Sequence, residues 1–173
     1  MSSGSVFRPA SRRVANALGL AAAVGLMGYA LYAQYGLRLE PCPLCILQRI
    51  AVITIGLLFL LALLHDPRRG GARIYGTLIA LAAAAGSAVA ARHVWIQAQP
   101  AGTVAECGAS LDYMLDVLPP GEVLMKVLKG SGECSKLDWS FLGLSMPAWV
   151  LVALLGLGAW GLWVNLSRPA NAS

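Results

Sequence analysis

Residues 44–64 read LCILQRIAVITIGLLFLLALL, 21 residues that carry a single charge, Arg49. An apolar run of about 20 residues, rising about 1.5 Å per residue as a helix, covers the roughly 30 Å hydrocarbon core of a bilayer. Three more runs are of similar length: Val14–Tyr35, Ile74–Ile96 and Met146–Leu166. Lipid offers no partners for backbone N–H and C=O groups, so such segments must satisfy themselves as helices. The expected fold is therefore all-α, an integral membrane four-helix bundle. One four-span domain over residues 1–173 is expected, with a short outer loop at 36–43 and a long one at 97–145.

Composition agrees. The chain is 58% hydrophobic and only 12% charged, against about 25% charged in a soluble domain. Disordered chains are apolar-poor and charge-rich, which excludes disorder. The net charge of +5 comes from scattered basic residues rather than one basic face, so the expected surroundings are a lipid bilayer and not nucleic acid. The first apolar run is longer than the roughly 7–15 residues of a signal peptide, and Leu31-Tyr32-Ala33 is a poor cleavage site. It is expected to be retained.

Charge asymmetry sets the expected orientation. Arg8, Arg12, Arg13, Arg68, Arg69, Arg73 and Arg168 share one side with a single acidic residue, Asp66. The other side mixes six basic residues with seven carboxylates, among them Glu40, Glu106 and Glu133. The positive-inside rule places both termini and the 65–73 loop in the cytoplasm. All four cysteines, Cys42, Cys45, Cys107 and Cys134, then lie outside, the side on which bacterial disulfides form.

The segment EPCPLCILQR, Glu40 to Arg49, carries the chemistry. Pro43 suits the first turn of a helix, which puts Cys42 near the N-cap and Cys45 in the first turn. A helix N-terminus favours a thiolate, and Arg49 lies one turn beyond Cys45 on the same face. A Cys-x-x-Cys pair opens and closes as a disulfide with little backbone movement. A zinc site would need a second Cys-x-x-Cys or two histidines spaced by about three to five residues, neither of which follows, and Cys107 and Cys134 are far apart, so no metal is expected. A haem site would need histidine where Ile46 stands. An inert structural disulfide is the remaining alternative. For Arg49 the alternative to a role at the thiols, or in stabilising negative charge on a bound oxidant, is snorkelling to the headgroups.

Cys107 and Cys134 enclose 26 residues, and linking them would stabilise the loop by roughly 3–4 kcal/mol. Between them Leu111, Met114, Leu115 and Leu118 form one helical stripe. Val123, Leu124, Val127 and Leu128 form a second after Pro119-Pro120-Gly121. These segments either lie at the lipid interface or cap the bundle. Two cysteine pairs on one face can exchange electrons through thiolate attack on a disulfide, and a structural staple is the alternative for the loop pair. Four cysteines allow three pairings, and the spacing does not choose among them. His93, near the outer end of the third span, is either interfacial or part of a site. Ala82, Gly86 and Ala90 on the third span, and Gly156, Gly158 and Gly161 on the fourth, are expected to pack helices closely.

These features resemble the DsbB family of disulfide bond formation proteins. The resemblance rests on Pro41-Cys42-Pro43-Leu44-Cys45 with Arg49, on His93, on Gly132-Glu133-Cys134, and on WSFLGLSMPAW from Trp139 to Trp149. It implies a bacterial inner-membrane oxidoreductase that reoxidises a DsbA-like periplasmic thioredoxin-fold protein. Two electrons would pass to ubiquinone or another membrane quinone. By position it implies that Cys107 forms the mixed disulfide with the partner and that Cys134 is its loop mate. Cys42 would exchange with that pair, and Cys45 would face the quinone. Arg49, His93 and, more distantly, Gln97 would line the quinone site. Gln48 stands where a relative has an acidic residue. Two rivals differ in prediction. A quinone reductase of the vitamin K epoxide reductase type would carry its Cys-x-x-Cys late in the bundle. A four-span interaction protein would tolerate loss of Cys42 and Cys45.

Overall fold

The computed structural model describes residues 12–67, 69–100, 111–130, 132–135 and 139–167. Four long helices dominate it: α1 (Arg12–Tyr35), α2 (Pro43–His65), α3 (Arg69–Gln97) and α7 (Met146–Ser167). Each is long and apolar enough to cross a membrane. Between α3 and α7 lie the short helices α4 (Leu111–Val117), α5 (Pro120–Lys129) and α6 (Gly132–Ser135), then a two-residue hairpin, β1 (Ser140–Phe141) and β2 (Leu144–Ser145). The architecture is a four-helix membrane bundle with a small cap at one end.

The wall and the core divide as lipid requires. Leu57, Leu61, Leu64, Ile74, Leu81, Val152 and Leu155 face outward, which water would penalise and hydrocarbon does not. Inside, Ala23, Val52, Ile55, Phe59, Ile79, Ala83, Leu154 and Leu157 form a continuous cluster. The α3–α7 pairing is the most extensive, and small residues allow it. A Cβ added at Gly158 would sit 2.7 Å from the Ala83 Cβ, and one at Gly86 2.7 Å from the Ala51 Cβ. Gly156 departs from the expectation: nothing lies within 4 Å of where its Cβ would be, so it faces away from its neighbours.

At the end opposite the cap, polar side chains tie α1 to its surroundings. Asn16 and Asn165 exchange amide hydrogen bonds at 3.4 and 3.2 Å, and the Trp160 indole donates to the Ala15 carbonyl at 3.0 Å. Arg12 is buried there and donates to the Pro67 carbonyl at 2.6 Å.

The cap settles on the bundle through one face. Met114, Val123 and Val127 pack with Cys42, Leu44, Ile96 and Cys134, while Tyr113, Leu115, Val117, Leu124 and Met125 stay exposed. Arg92 pins the cap: its guanidinium donates to the Leu128 and Lys129 carbonyls at 3.1 and 3.3 Å and lies 4.2 Å from the centre of the Trp95 ring. A cation at the carbonyl end of α5 is favourable to the helix dipole.

The hairpin was not anticipated. Leu142 and Gly143 both have positive φ, 52° and 79°, the pair of left-handed residues that a type I′ turn needs. The turn brings Phe141 opposite Leu144, and the Trp149 indole of α7 donates to the Phe141 carbonyl at 3.0 Å. Trp139 stacks on Phe141 and meets Tyr29 of α1 edge-on, with ring centres 6.0 Å apart. The aromatic-rich segment before α7 thus bridges α7 to α1 across the mouth of the bundle.

Candidate functional site

The site begins at the N-terminus of α2. Cys42 is the N-cap and Pro43 opens the helix, its missing N–H costing nothing in that position. The Cys42 sulfur accepts the backbone N–H of Cys45 at 3.4 Å, the role a serine or aspartate oxygen fills at other helix starts. This puts the two sulfurs 3.2 Å apart, on consecutive parts of one helical turn. Cys42 is buried, and Cys45 is partly open to the neighbouring cavity.

His93 arrives from α3. Its Nε2 lies 3.7 Å from the Cys42 sulfur and 3.1 Å from the Cys134 carbonyl oxygen. On the other side of the ring, Nδ1 is 3.1 Å from the Gln48 amide nitrogen. With that amide donating, Nδ1 is the acceptor and Nε2 carries the proton, directed at the Cys134 carbonyl and the Cys42 sulfur. Gln48 and His93 are each only 3% exposed, so this pairing satisfies two polar groups that would otherwise be costly to bury. Cys134, 1% exposed, packs in the same cluster as Cys42.

Beside the thiols lies a cavity of about 450 Å³. Its walls are mostly apolar, with Leu26, Met27, Val52, Met146 and Val150 among them, and Cys45, Arg49, His93 and Gln97 are among its few polar groups. Glu40, Trp139 and Trp149 also line it. A mostly apolar chamber with a few polar groups in its lining is the usual form of a small-molecule site. Arg49 is held, not free: its guanidinium donates to the Gln34 side-chain oxygen and to the Ala30 carbonyl, the latter at 3.1 Å, both on α1.

Five of the seven residues singled out in the sequence, Cys42, Cys45, Arg49, His93 and Gln97, line this one cavity. Cys134 joins through its carbonyl and its packing. Cys107 lies outside the described residues. Gln34 was missed, and Gln48 and the two tryptophans, noted only in the family resemblance, were given no place in the site. For Gln48 the signal was a polar residue inside an apolar helix, one position before Arg49.

A four-helix membrane bundle that ends in paired thiols beside an apolar chamber defines a membrane thiol–disulfide oxidoreductase. The chain belongs to the family described as disulfide bond formation protein DsbB, whose model matches residues 12–164. It is 48% identical over 153 residues to a disulfide bond formation protein B of Methylobacillus flagellatus, covering 88% of this chain and 92% of that one. Similar proteins of the same name occur in Xanthomonas campestris, 50% identical over 152 residues (87% and 88% covered), and in Chromobacterium violaceum, 51% over 144 residues (83% and 87% covered). The protein is thus a multi-pass bacterial membrane protein of disulfide bond formation, as its sequence motifs implied.

Proposed function

We propose that this protein oxidises a DsbA-like thioredoxin-fold dithiol protein in the periplasm and delivers the two electrons to a membrane quinone. The observation that carries the reading is the placement of Cys45, in the wall of the apolar cavity, one helical turn from Arg49 and 3.2 Å from its partner sulfur.

In this account the cysteine loops face the periplasm and both termini the cytoplasm. A thiolate of the reduced partner attacks the Cys107–Cys134 disulfide at Cys107. The partner's second thiolate then attacks the mixed disulfide, so the partner leaves oxidised and the loop pair is left reduced. Cys134, packed with Cys42, attacks the Cys42–Cys45 disulfide at Cys42 and releases Cys45 as a thiolate. Closure of the Cys107–Cys134 bond then leaves Cys42 and Cys45 reduced. His93 presents Nε2–H to Cys42 and supports negative charge on that sulfur. Arg49, oriented by Gln34 and Ala30, supplies the positive charge in the chamber.

The donor set fits a quinone: an apolar chamber suits a lipid-soluble ring and tail, and Arg49 and Gln97, beside His93 in the lining, offer side-chain N–H groups to carbonyl oxygens. Bound there, a quinone supplies a two-electron acceptor, and every 30 mV of its advantage in potential is worth about 1.4 kcal/mol. Two electrons and two protons leave the dithiol, and the Cys42–Cys45 disulfide is restored.

The test mixes the purified protein with a reduced thioredoxin-fold dithiol partner and ubiquinone while quinone absorbance is followed. Catalytic loss of the oxidised quinone, abolished by Cys42→Ser, is expected. No turnover by the unaltered protein would overturn the reading.

A further inference from the structure

The fold adds to the cysteine pair a third ligand that the sequence kept 51 positions from Cys42, and the resulting cluster suits a metal ion. We propose that reduced Cys42 and Cys45, with His93 Nε2, form a capture site for a thiophilic divalent cation such as Zn²⁺. The cation is not a resident cofactor. It is a reversible blocker of the reduced state.

The three ligand atoms lie within 4.8 Å of one another. A tetrahedral zinc ion, with bonds of about 2.3 Å to sulfur and about 2.0 Å to nitrogen, holds two sulfurs about 3.8 Å apart and a sulfur and nitrogen about 3.6 Å apart. The observed separations are 3.2 Å between the sulfurs and 3.7 Å from Cys42 sulfur to His93 Nε2. The second already matches, while rotation of the Cys45 side chain must part the sulfurs by about 0.6 Å and bring its sulfur, which lies within 4.8 Å of His93 Nε2, to bonding range of the same ion. Two ligands at the N-cap and first turn of α2 and one on α3 are fixed by helices that pack together, so little ordering remains to be done on binding.

Charge and outer contacts point the same way. Two thiolates neutralise a divalent cation, so the complex has no net charge to bury. Each thiol still protonated releases its proton on binding, no electrons move, and the disulfide form has no thiolates to offer. With Nε2 on the metal, Nδ1 must carry the ring proton and needs an acceptor. A half turn of the Gln48 amide presents its oxygen in place of the nitrogen that now sits 3.1 Å from Nδ1. All three ligands border the cavity, from which a water can complete the shell. Bound there, the cation occupies the sulfur that the proposed electron route uses. The blocking effect therefore rests on the proposed function, whereas the binding itself does not.

The experiment titrates Co²⁺, without oxygen, into reduced full-length protein bearing Cys107→Ser and Cys134→Ser, which leaves Cys42 and Cys45 as its two thiols. One equivalent should bind with cobalt–thiolate charge-transfer absorption and tetrahedral ligand-field bands, and Zn²⁺ should displace it. Oxidised protein should bind none. His93→Ala should weaken binding at least tenfold, and His93→Gln should do the same if the alanine variant misfolds. Absence of cobalt–thiolate absorption while thiol titration counts two reduced cysteines would overturn the site. Unchanged affinity in both His93 variants would overturn it equally. A protein that binds Co²⁺ in this way yet never reduces quinone keeps the metal site and loses the proposed function. If both hold, Zn²⁺ stops turnover and a chelator restores it.

Discussion

At the residue scale, Arg49 shows how a charge is made usable inside a membrane protein. A free arginine at this depth would turn toward the headgroups. Here its guanidinium is held by Gln34 and Ala30 of α1, which leaves it in the lining of the cavity that Cys45 shares. Hydrogen bonds to a charged group contribute about 1.5–3 kcal/mol, roughly ten- to a hundredfold in affinity. Arg49→Leu should therefore raise the apparent KM for ubiquinone about tenfold or more, while Gln34→Leu, which loosens the guanidinium without removing it, should raise it less. Steady-state rates over a range of quinone concentration check both, and an unchanged KM in Arg49→Leu would mean that the side chain only snorkels. The closeness of Cys42, Cys45 and Arg49 was legible because their spacing along one helix encodes their neighbourhood. Gln34 was not, since its value depends on how α1 packs against α2. The approach of His93 Nε2 to the Cys42 sulfur equally depends on the pairing of α2 and α3, which no local pattern records.

At the element scale, apolar length revealed the four spans, because lipid permits only self-satisfied helices of a narrow range of lengths. The structure extends α3 back to Arg69, five residues before the apolar run begins at Ile74, because a helix continues through polar residues once its backbone bonds are made. Glycine spacing was a weaker guide. Gly158 lies against Ala83, whereas Gly156 on the same helix touches nothing, and only the rotation of α7 about its axis separates them. Gly158→Val should push α3 and α7 apart and cost about 1–3 kcal/mol, seen as a lower Tm in detergent, with Gly156→Ala close to the unaltered protein. Equal Tm values for Gly158→Val and Gly156→Ala would contradict the packing. The hairpin before α7 had one local signal, Leu142-Gly143 flanked by Phe141 and Leu144. It was passed over because two-residue strands fall below any periodic pattern.

For the whole molecule, the arrangement concentrates polarity where the chemistry is. The bundle is apolar inside and out, its opposite end is closed by Arg12 and the Asn16–Asn165 pair, and the thiols, His93, Gln48 and Arg49 gather beneath the cap end. The cap, pinned by Arg92, sets Cys134 against Cys42, and the aromatic bridge from Trp139 to Tyr29 borders the chamber. The sequence told that Cys42 and Cys45 share one helical turn, but not that a chamber opens beside them. The central claim is that the Cys42–Cys45 dithiol reduces a quinone in that chamber directly. The most direct measurement uses protein bearing Cys107→Ser and Cys134→Ser, fully reduced, freed of reductant and mixed with one equivalent of ubiquinone without any partner protein. Loss of one oxidised quinone per protein, with disappearance of two thiols, is the predicted result. Quinone left unreduced, or reduced equally after Cys45→Ser, would contradict it.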